Sequence, residues 1–600
     1  MPSWRSRAEQ ARYGKSTRRR RRTRRRRVVL VVFGVVLLWL GVTAVLLVLA
    51  AGDARAAEER LRRLEGSMSG ADLLRGEGVD DLRRAHQELR SANRKASSPI
   101  VAPLEVLPVV GRQVRSFQGL LRASSGVLGT GVEALDATRE QLDGDLPQGA
   151  ARVELISSLE VVLRDSLPDL VTARARLGPR QGLVQPLAEA RDELNDHLEE
   201  VTSQLGRAHS AFVAMQSFLD GDGRYLVLAS NNAEMQAGWG MPLQAGVLTI
   251  ADGEATLPDL EPTSEMLLPV GVPFEGDLAN NWGPLQPNRE WRNLALSPRF
   301  SESAPLAARM WEARGGGPVD GVLAVDPYLL RAILRATGPV EADGDVVSAD
   351  DVVQFTLHDQ YIDQAIDEPG RAERQDRLAD VAAAAVEALA GPVDAPTLVE
   401  ELMQASYQRH VLAWSSVEEQ QAGWEATGID GELDAGSTMV SLVNRGCNKL
   451  DWFLDVSADL TFESAPEGRQ GILRVAVDNR TPAGQSSYIA GPRPTCGVDA
   501  AGDWLGFLTV HLPGRVGRAS VSGAQAIVDG SDGPSRLVAA NLAVARGQRA
   551  EAVVRFDVPS DVVDIELEPS GRARPLTWRV GQRSWSDDRQ HTVSLVGDRR

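Results

Sequence analysis

The stretch Asp320-Gly-Val-Leu-Ala-Val-Asp-Pro-Tyr328 decides the fold class. Five uncharged residues, 321–325, read as a buried strand. Asp326 and Pro327 then supply the side-chain acceptor and the fixed φ that open a helix, and Gly338 closes it. Asp320 and Asp326 bracket the strand as a candidate acid–base or ligand pair, although capping is the simpler use of Asp326. Around this unit, residues 224–229 form a short strand ending in Ser-Asn-Asn-Ala-Glu. Residues 247–250 form another, turned by Ala-Asp-Gly253. Helices are predicted over 326–337, 348–367 and 371–390, with Ser348 and Asp351 as a variant capping box. Strands alternating with helices indicate a mixed α/β domain over 220–435.

Toward the C-terminus the pattern becomes strand after strand: 438–443, 453–462, 471–477, 505–512 and 551–558. That spacing predicts an antiparallel β-sandwich over 436–570, followed by a tail at 571–600 in which 576–580 pairs with 592–596 as a hairpin. Cys447 and Cys496, the only two cysteines, are expected to form a disulfide if this part is exported. Their spacing fits no paired zinc knuckle.

Toward the N-terminus, residues 53–219 read as helix punctuated by prolines 99, 103, 108, 147, 168 and 179. Leu194, Leu198, Val201, Leu205, Ala208, Phe212, Met215 and Leu219 alternate at spacings of four and three. This is the seam of a helix packed against a partner. The partner is either an earlier helix (Leu61 and Leu64, or Leu120, Leu121 and Leu128), making a stalk, or a second subunit in a homo-oligomer. Residues 28–52 contain no charge and match the ~20 apolar residues that cross a bilayer. A cleavable signal peptide has a shorter apolar region. Residues 1–27 hold thirteen Lys/Arg against Glu9, a net +12. The whole chain carries −17, so residues 28–600 carry −29. The positive-inside bias places the basic tail in the cytoplasm and everything after residue 52 outside, anchored in the plasma membrane by a single pass. An acidic exterior disfavours nucleic acid as a partner.

There is no phosphate-binding loop, zinc-protease helix, nucleophile elbow or calcium loop. The seven histidines are scattered, so no metal, cofactor or catalytic set emerges. Asn231-Asn-Ala-Glu234-Met-Gln236-Ala-Gly238-Trp-Gly240 packs amides and a carboxylate at a strand end beside glycines. This is a candidate polar pocket, or else a turn network satisfying backbone groups. The stretch from Trp282 to Phe300, with Arg289, Arg292 and Arg299, either binds a sugar or anion or fills a core. The candidate binding set is Asn231, Asn232, Glu234, Gln236, Gly238, Arg292, Asp320 and Asp326.

These blocks, with Trp291-Arg-Asn-Leu, Ser297-Pro-Arg-Phe300, Thr337-Gly-Pro-Val340, Arg409-His410, Trp414-Ser415 and Asn448-Lys-Leu-Asp451, resemble the bacterial domain of unknown function 4012 family over about residues 50–560. Many members have Arg where this chain has Gln236. The resemblance implies a membrane-anchored, extracytoplasmic protein beside envelope polysaccharide machinery, and supplies no activity or catalytic residues. The expectation is a non-enzymatic binding or scaffolding protein facing cell-wall glycan. The alternative is a glycopolymer transferase acting on polyprenyl-phosphate-linked chains, by analogy with LytR-CpsA-Psr proteins. It requires a pocket built from some of Arg289, Arg292, Arg299, Asp320 and Asp326.

Overall fold

The computed structural model describes residues 5–142, 146–258, 260–342, 344–362, 371–465 and 468–595, with side chains from residue 31 onward except 371–379. The chain divides into two units, Met1–Glu140 with Val162–Gly206, and Gln141–Val161 with Arg207–Arg600.

The first unit is helical. One helix, Arg5–Glu65, contains a portion from Val31 onward long and apolar enough to cross a membrane. From about Leu47 onward it packs along Val79–Ala96, where Ala50 and Ala57 meet Ala85, Ala92 and Ala96. Alanines leave little side chain between the backbones, so the two helices approach closely. Leu120 and Ala123 of the helix Val110–Gln141 form a second cluster with Leu170, Ala173, Leu177 and Leu198, with Leu194 and Leu205 against it. Leu194, Leu198 and Leu205 of the 3.5-residue seam are thus packed within the chain, while Val201 is exposed. Pro168 does not end a helix as its position suggests: Ala150–Ala175 runs through it. A proline removes one ladder hydrogen bond, and the apolar contacts of Leu170 and Ala173 hold the helix together past it.

In the second unit, a sheet runs in the order Glu254–Thr256, Gly240–Ala251, Gly223–Met235, Gly321–Val325, Val411–Ser415. Gly223–Met235 and Gly321–Val325 are parallel, and the other pairs along this order are antiparallel. The first hairpin turns at Asp252 and Gly253, with φ of 50° and 79°. A two-residue Asp-Gly turn of this kind matches the strand twist. Alternation along the strands separates two faces. Leu226, Leu228, Val322, Ala324 and Leu412 pack against Phe300, Ala304, Ala307 and Met310 of the helix Phe300–Ala313. The opposite face carries Val227, Ala229, Leu323 and Val325.

The helix Pro327–Thr337 starts and stops where its signals place it. The strand expected to end before Asn231 instead continues to Met235 through a register shift between Asn231 and Met235. The helix expected over 348–367 is only Val352–Leu357 followed by a single turn at Asp359–Tyr361, and residues 363–367 lie outside the described residues. Asp351 is its cap position, and the Ser348 hydroxyl donates to the Asp351 carboxylate rather than closing a capping box.

The C-terminal region contributes two six-stranded sheets. Val440, Leu442, Leu508 and Val510 from one share a core with Leu460, Leu473, Val475 and Val554 from the other. The five expected strands are present. Five that sequence reading missed, Ala519–Ser522, Gln525–Asp532, Ser535–Val544, Asp564–Glu568 and Arg583–Ser586, complete the sheets. The pairing is not wholly antiparallel: Leu454–Ala465 with Thr577–Val580, and Ser437–Asn444 with Asp564–Glu568, are parallel. The expected hairpin between 576–580 and 592–596 does not form. Thr577–Val580 pairs with Arg583–Ser586, and His591–Ser594 pairs with Asp564–Glu568 in the other sheet. Short local pairing at 583–586 and an open sheet edge outcompete the longer loop closure. Cys447 and Cys496 are joined by a disulfide.

Candidate functional site

The face carrying Val227, Ala229, Leu323 and Val325 does not meet a neighbour over its whole area. Between it and Leu329, Leu330 and Ile333 of the helix Pro327–Thr337 lies a cavity of about 300 Å³, with Ala382 and Val386 on a further side. Its walls are apolar because they are the inner faces of a strand pair and two helices. Its polar groups come from the strand ends and loops, among them Asn231, Glu234, Arg292 and Asp326. A mostly apolar hollow with a few convergent polar groups, at the carboxyl ends of parallel strands, is the usual form of a ligand site.

Asp326 caps its helix by accepting from Tyr328 N at 2.8 Å, and does more than that. Its second carboxylate oxygen accepts from Asn232 Nδ2 at 2.8 Å and is bonded to His410 Nδ1 at 2.6 Å. The His410 ring stacks on Tyr328 at 3.9 Å between centroids. Tyr328 donates to Ala573 O at 2.6 Å, and burial, aided by the nearby Asp326 charge, pushes its phenol up to about 12. Asn232 also donates to Gly571 O at 2.7 Å. A cap signal in sequence has become the junction of three segments far apart in the chain.

At another part of the wall, Glu234 is paired with Lys449, whose ammonium lies 4.5 Å from the Tyr361 ring centre and 5.7 Å from that of Tyr488. Burial works to lower the Lys449 pKa, and Glu234 together with Tyr361 and Tyr488 outweighs it, leaving the ammonium above its ordinary value. Tyr361 and Tyr488 themselves stack at 5.1 Å and line the cavity. Arg292 is gripped by both oxygens of Glu290, at 2.9 and 2.7 Å, which holds its guanidinium above the usual range while burial opposes. It is nonetheless 43% exposed.

Asn231, Glu234, Arg292 and Asp326 therefore converge on one cavity, and Asn232 stands directly behind Asp326. The other candidates do not converge. Gln236 is fully buried outside the cavity, and its amide has no hydrogen-bond partner among the described residues. Gly238 does not admit a ligand: a Cβ there would come within 2.5 Å of Pro298, and one at Gly240 within 2.7 Å of the Asn231 backbone. These glycines allow close packing of the chain on itself. Asp320 sits at the far end of its strand, where its carboxylate accepts from Arg224 N at 2.8 Å. Arg289 donates to Leu268 O, and Arg299 is bound by Glu432 and Glu302. Trp282 and Trp291 are buried, the latter donating to Met266 O at 2.8 Å, so both fill core rather than a sugar site.

Sequence reading missed His410, Lys449, Tyr361 and Tyr488 as parts of one site. Arg409-His410 and Asn448-Lys-Leu-Asp451 were visible as blocks, but their joining is tertiary. Among the described residues no group of His, Cys, Asp and Glu could hold a metal ion. Residues 220–361, which supply most of the cavity, match the family model described as Protein of unknown function (DUF4012). No curated protein matches the chain.

Proposed function

We propose that this chain, whose residues 220–361 belong to the DUF4012 family, is a single-pass membrane protein. Its exported part binds a component of the cell envelope, in a role linked to envelope polysaccharide. The cavity carries this reading: apolar walls from Val227, Leu323, Leu330 and Ile333, with Arg292, Glu234, Asn231 and Asp326 among its polar groups. Such a lining suits an amphipathic ligand, with the apolar part against the sheet and the polar part toward Arg292. The two C-terminal sheets are taken as a β-sandwich. The basic tail and the charge-free span give the orientation, with the cavity outside.

A transferase asks for some of Arg289, Arg299, Asp320, Arg292 and Asp326 at one pocket, and of these the last two line the cavity. The first three are engaged elsewhere, which favours binding over group transfer. Fluorescent cell-wall glycan and its lipid-linked precursor, each titrated against the full chain in detergent, test the reading. The precursor is expected to bind, and Leu330→Trp, which fills the cavity, is expected to weaken it at least tenfold. Absence of binding by both probes, or binding indifferent to Leu330→Trp, would remove the support.

A further inference from the structure

Residues 97–111, Ser-Ser-Pro-Ile-Val-Ala-Pro-Leu-Glu-Val-Leu-Pro-Val-Val-Gly, hold one charge and eight Ile, Val, Leu or Ala side chains. A water-facing linker between two helices has no reason for such a composition. Val106 is 84% exposed and Val109 71%, and Ile100, Leu107 and Val110 are exposed beside them. Single exposed apolar residues are ordinary, and a contiguous patch marks an interaction surface.

The place of the patch identifies what covers it. Trp39 Nε1 donates to Ile100 O at 2.8 Å, and Thr43 Oγ1 reaches the same oxygen at 3.5 Å. Val101, Leu104 and Val114 form a cluster on which Trp39, Leu46 and Leu47 pack. All four anchoring side chains, Trp39, Thr43, Leu46 and Leu47, belong to the charge-free span. A span of about 20 residues counted from Val28 ends near Leu47. At 1.5 Å per residue, Trp39 then lies about 12 Å inside that end. Anything hydrogen-bonded to Trp39 is at acyl-chain depth. Val42, Val45 and Val48 of the span are exposed as well.

The loop is also built for a medium without water, where unpaired backbone groups are costly. Pro103 and Pro108 have no N–H to satisfy. Val101 and Ala102 N donate to Ser98 O, Leu107 N to Leu104 O, and Gly111 N to Leu107 O. The one charge, Glu105, is turned inward to accept from Gln118 Nε2 at 2.9 Å. Arg112 and Arg115 follow at the loop's exit, both exposed, and Arg115 donates to Glu105 O, satisfying another of the loop's backbone groups.

We propose that residues 100–110 are a second membrane contact. They dip into the bilayer leaflet opposite the Arg cluster and pin the first helical unit against the lipid. The inference rests on the membrane-spanning reading of residues 28–52, and the test separates the two. Single cysteines replace Val106, Val109, Leu38 on the span, and Glu133 on an exposed helix face; Cys447 and Cys496 are already bonded to each other. Each full-length variant is spin-labelled, reconstituted in phosphatidylglycerol–phosphatidylethanolamine bilayers, and exposed to oxygen, which partitions into acyl chains, and to a water-soluble nickel chelate.

Labels on Val106→Cys and Val109→Cys are expected to behave as on Leu38→Cys, gaining oxygen relaxation and losing nickel relaxation relative to Glu133→Cys. Lipid exposure at Leu38 with nickel access at both loop sites overturns the proposal and leaves the anchor standing. Nickel access at Leu38 overturns both. Loop labels shielded from both reagents also overturn it, because protein rather than lipid then covers the patch.

Discussion

Glu234 and Lys449 illustrate how a residue's importance comes from where its partner lies. The lysine side chain is only 3% exposed and the carboxylate 15%, so removing either leaves a charge stranded in a low-dielectric site. Glu234→Ala is expected to destabilise the protein by about 3–5 kcal/mol, read as a fall in the denaturant midpoint. A change near zero would mean that the two tyrosine faces alone stabilise the ammonium. Asp587 is a second residue-scale case. Its carboxylate accepts from Ser570 N, Ser570 Oγ and Leu576 N, yet burial prevails and pushes it up to about 7 from an ordinary 3.8. Between those values the folded state holds a proton that the unfolded state has lost. This group's contribution to stability therefore falls as pH rises from about 4 to about 7. Thermal midpoints across that window should decline less in Asp587→Asn than in the wild type; parallel curves would contradict the assignment. The sequence pointed to Glu234 but not to Asp587, because nothing local distinguishes a buried aspartate from the half-buried Asp588 beside it.

The helix Pro327–Thr337 shows the same division among elements. Its start at Asp326-Pro327 and its stop at Gly338 were legible because capping is local chemistry between residues two or three apart. A cap alone contributes about 1 kcal/mol. Asp326 also holds Asn232 and His410, whose buried polar atoms would each be left without that acceptor at about 1–3 kcal/mol. Asp326→Ala is therefore expected to destabilise by about 3 kcal/mol or more in chemical denaturation, and a loss near 1 kcal/mol would reduce Asp326 to a cap. Other elements read less well for identifiable reasons. Ala519–Ser522 and Gln525–Asp532 carry exposed, polar residues on edge strands and lack a clear apolar alternation. The hairpin expected at the C-terminus was drawn from apolar pattern alone, and pattern does not say which edge a strand will join. Pro168 inside Ala150–Ala175 is the converse, a local stop signal overridden by packing.

For the whole molecule, the proposed topology, read from a basic tail, one apolar span and an acidic remainder, has everything after residue 52 across the membrane from the tail. Protease added to spheroplasts should degrade residues 53–600 and spare a tag at residue 1. Protein prepared from membranes without reductant should show no thiol reactive under denaturing conditions. A protected C-terminal part, or two free thiols at Cys447 and Cys496, would reverse the topology. The sequence by itself determined the long apolar helix, the order of helical, α/β and β-rich regions, and most of the caps and turns, since each depends on composition or on neighbours within a few residues. Tertiary structure alone decided that Asn231, Glu234, Arg292 and Asp326 line one cavity and that Gln236, Gly238 and Asp320 do not. It also decided that His410 and Lys449 complete the set, and that the loop after Pro99 lies against Trp39. Those outcomes depend on which strand ends and helices meet across tens to hundreds of residues, and no local pattern encodes that meeting.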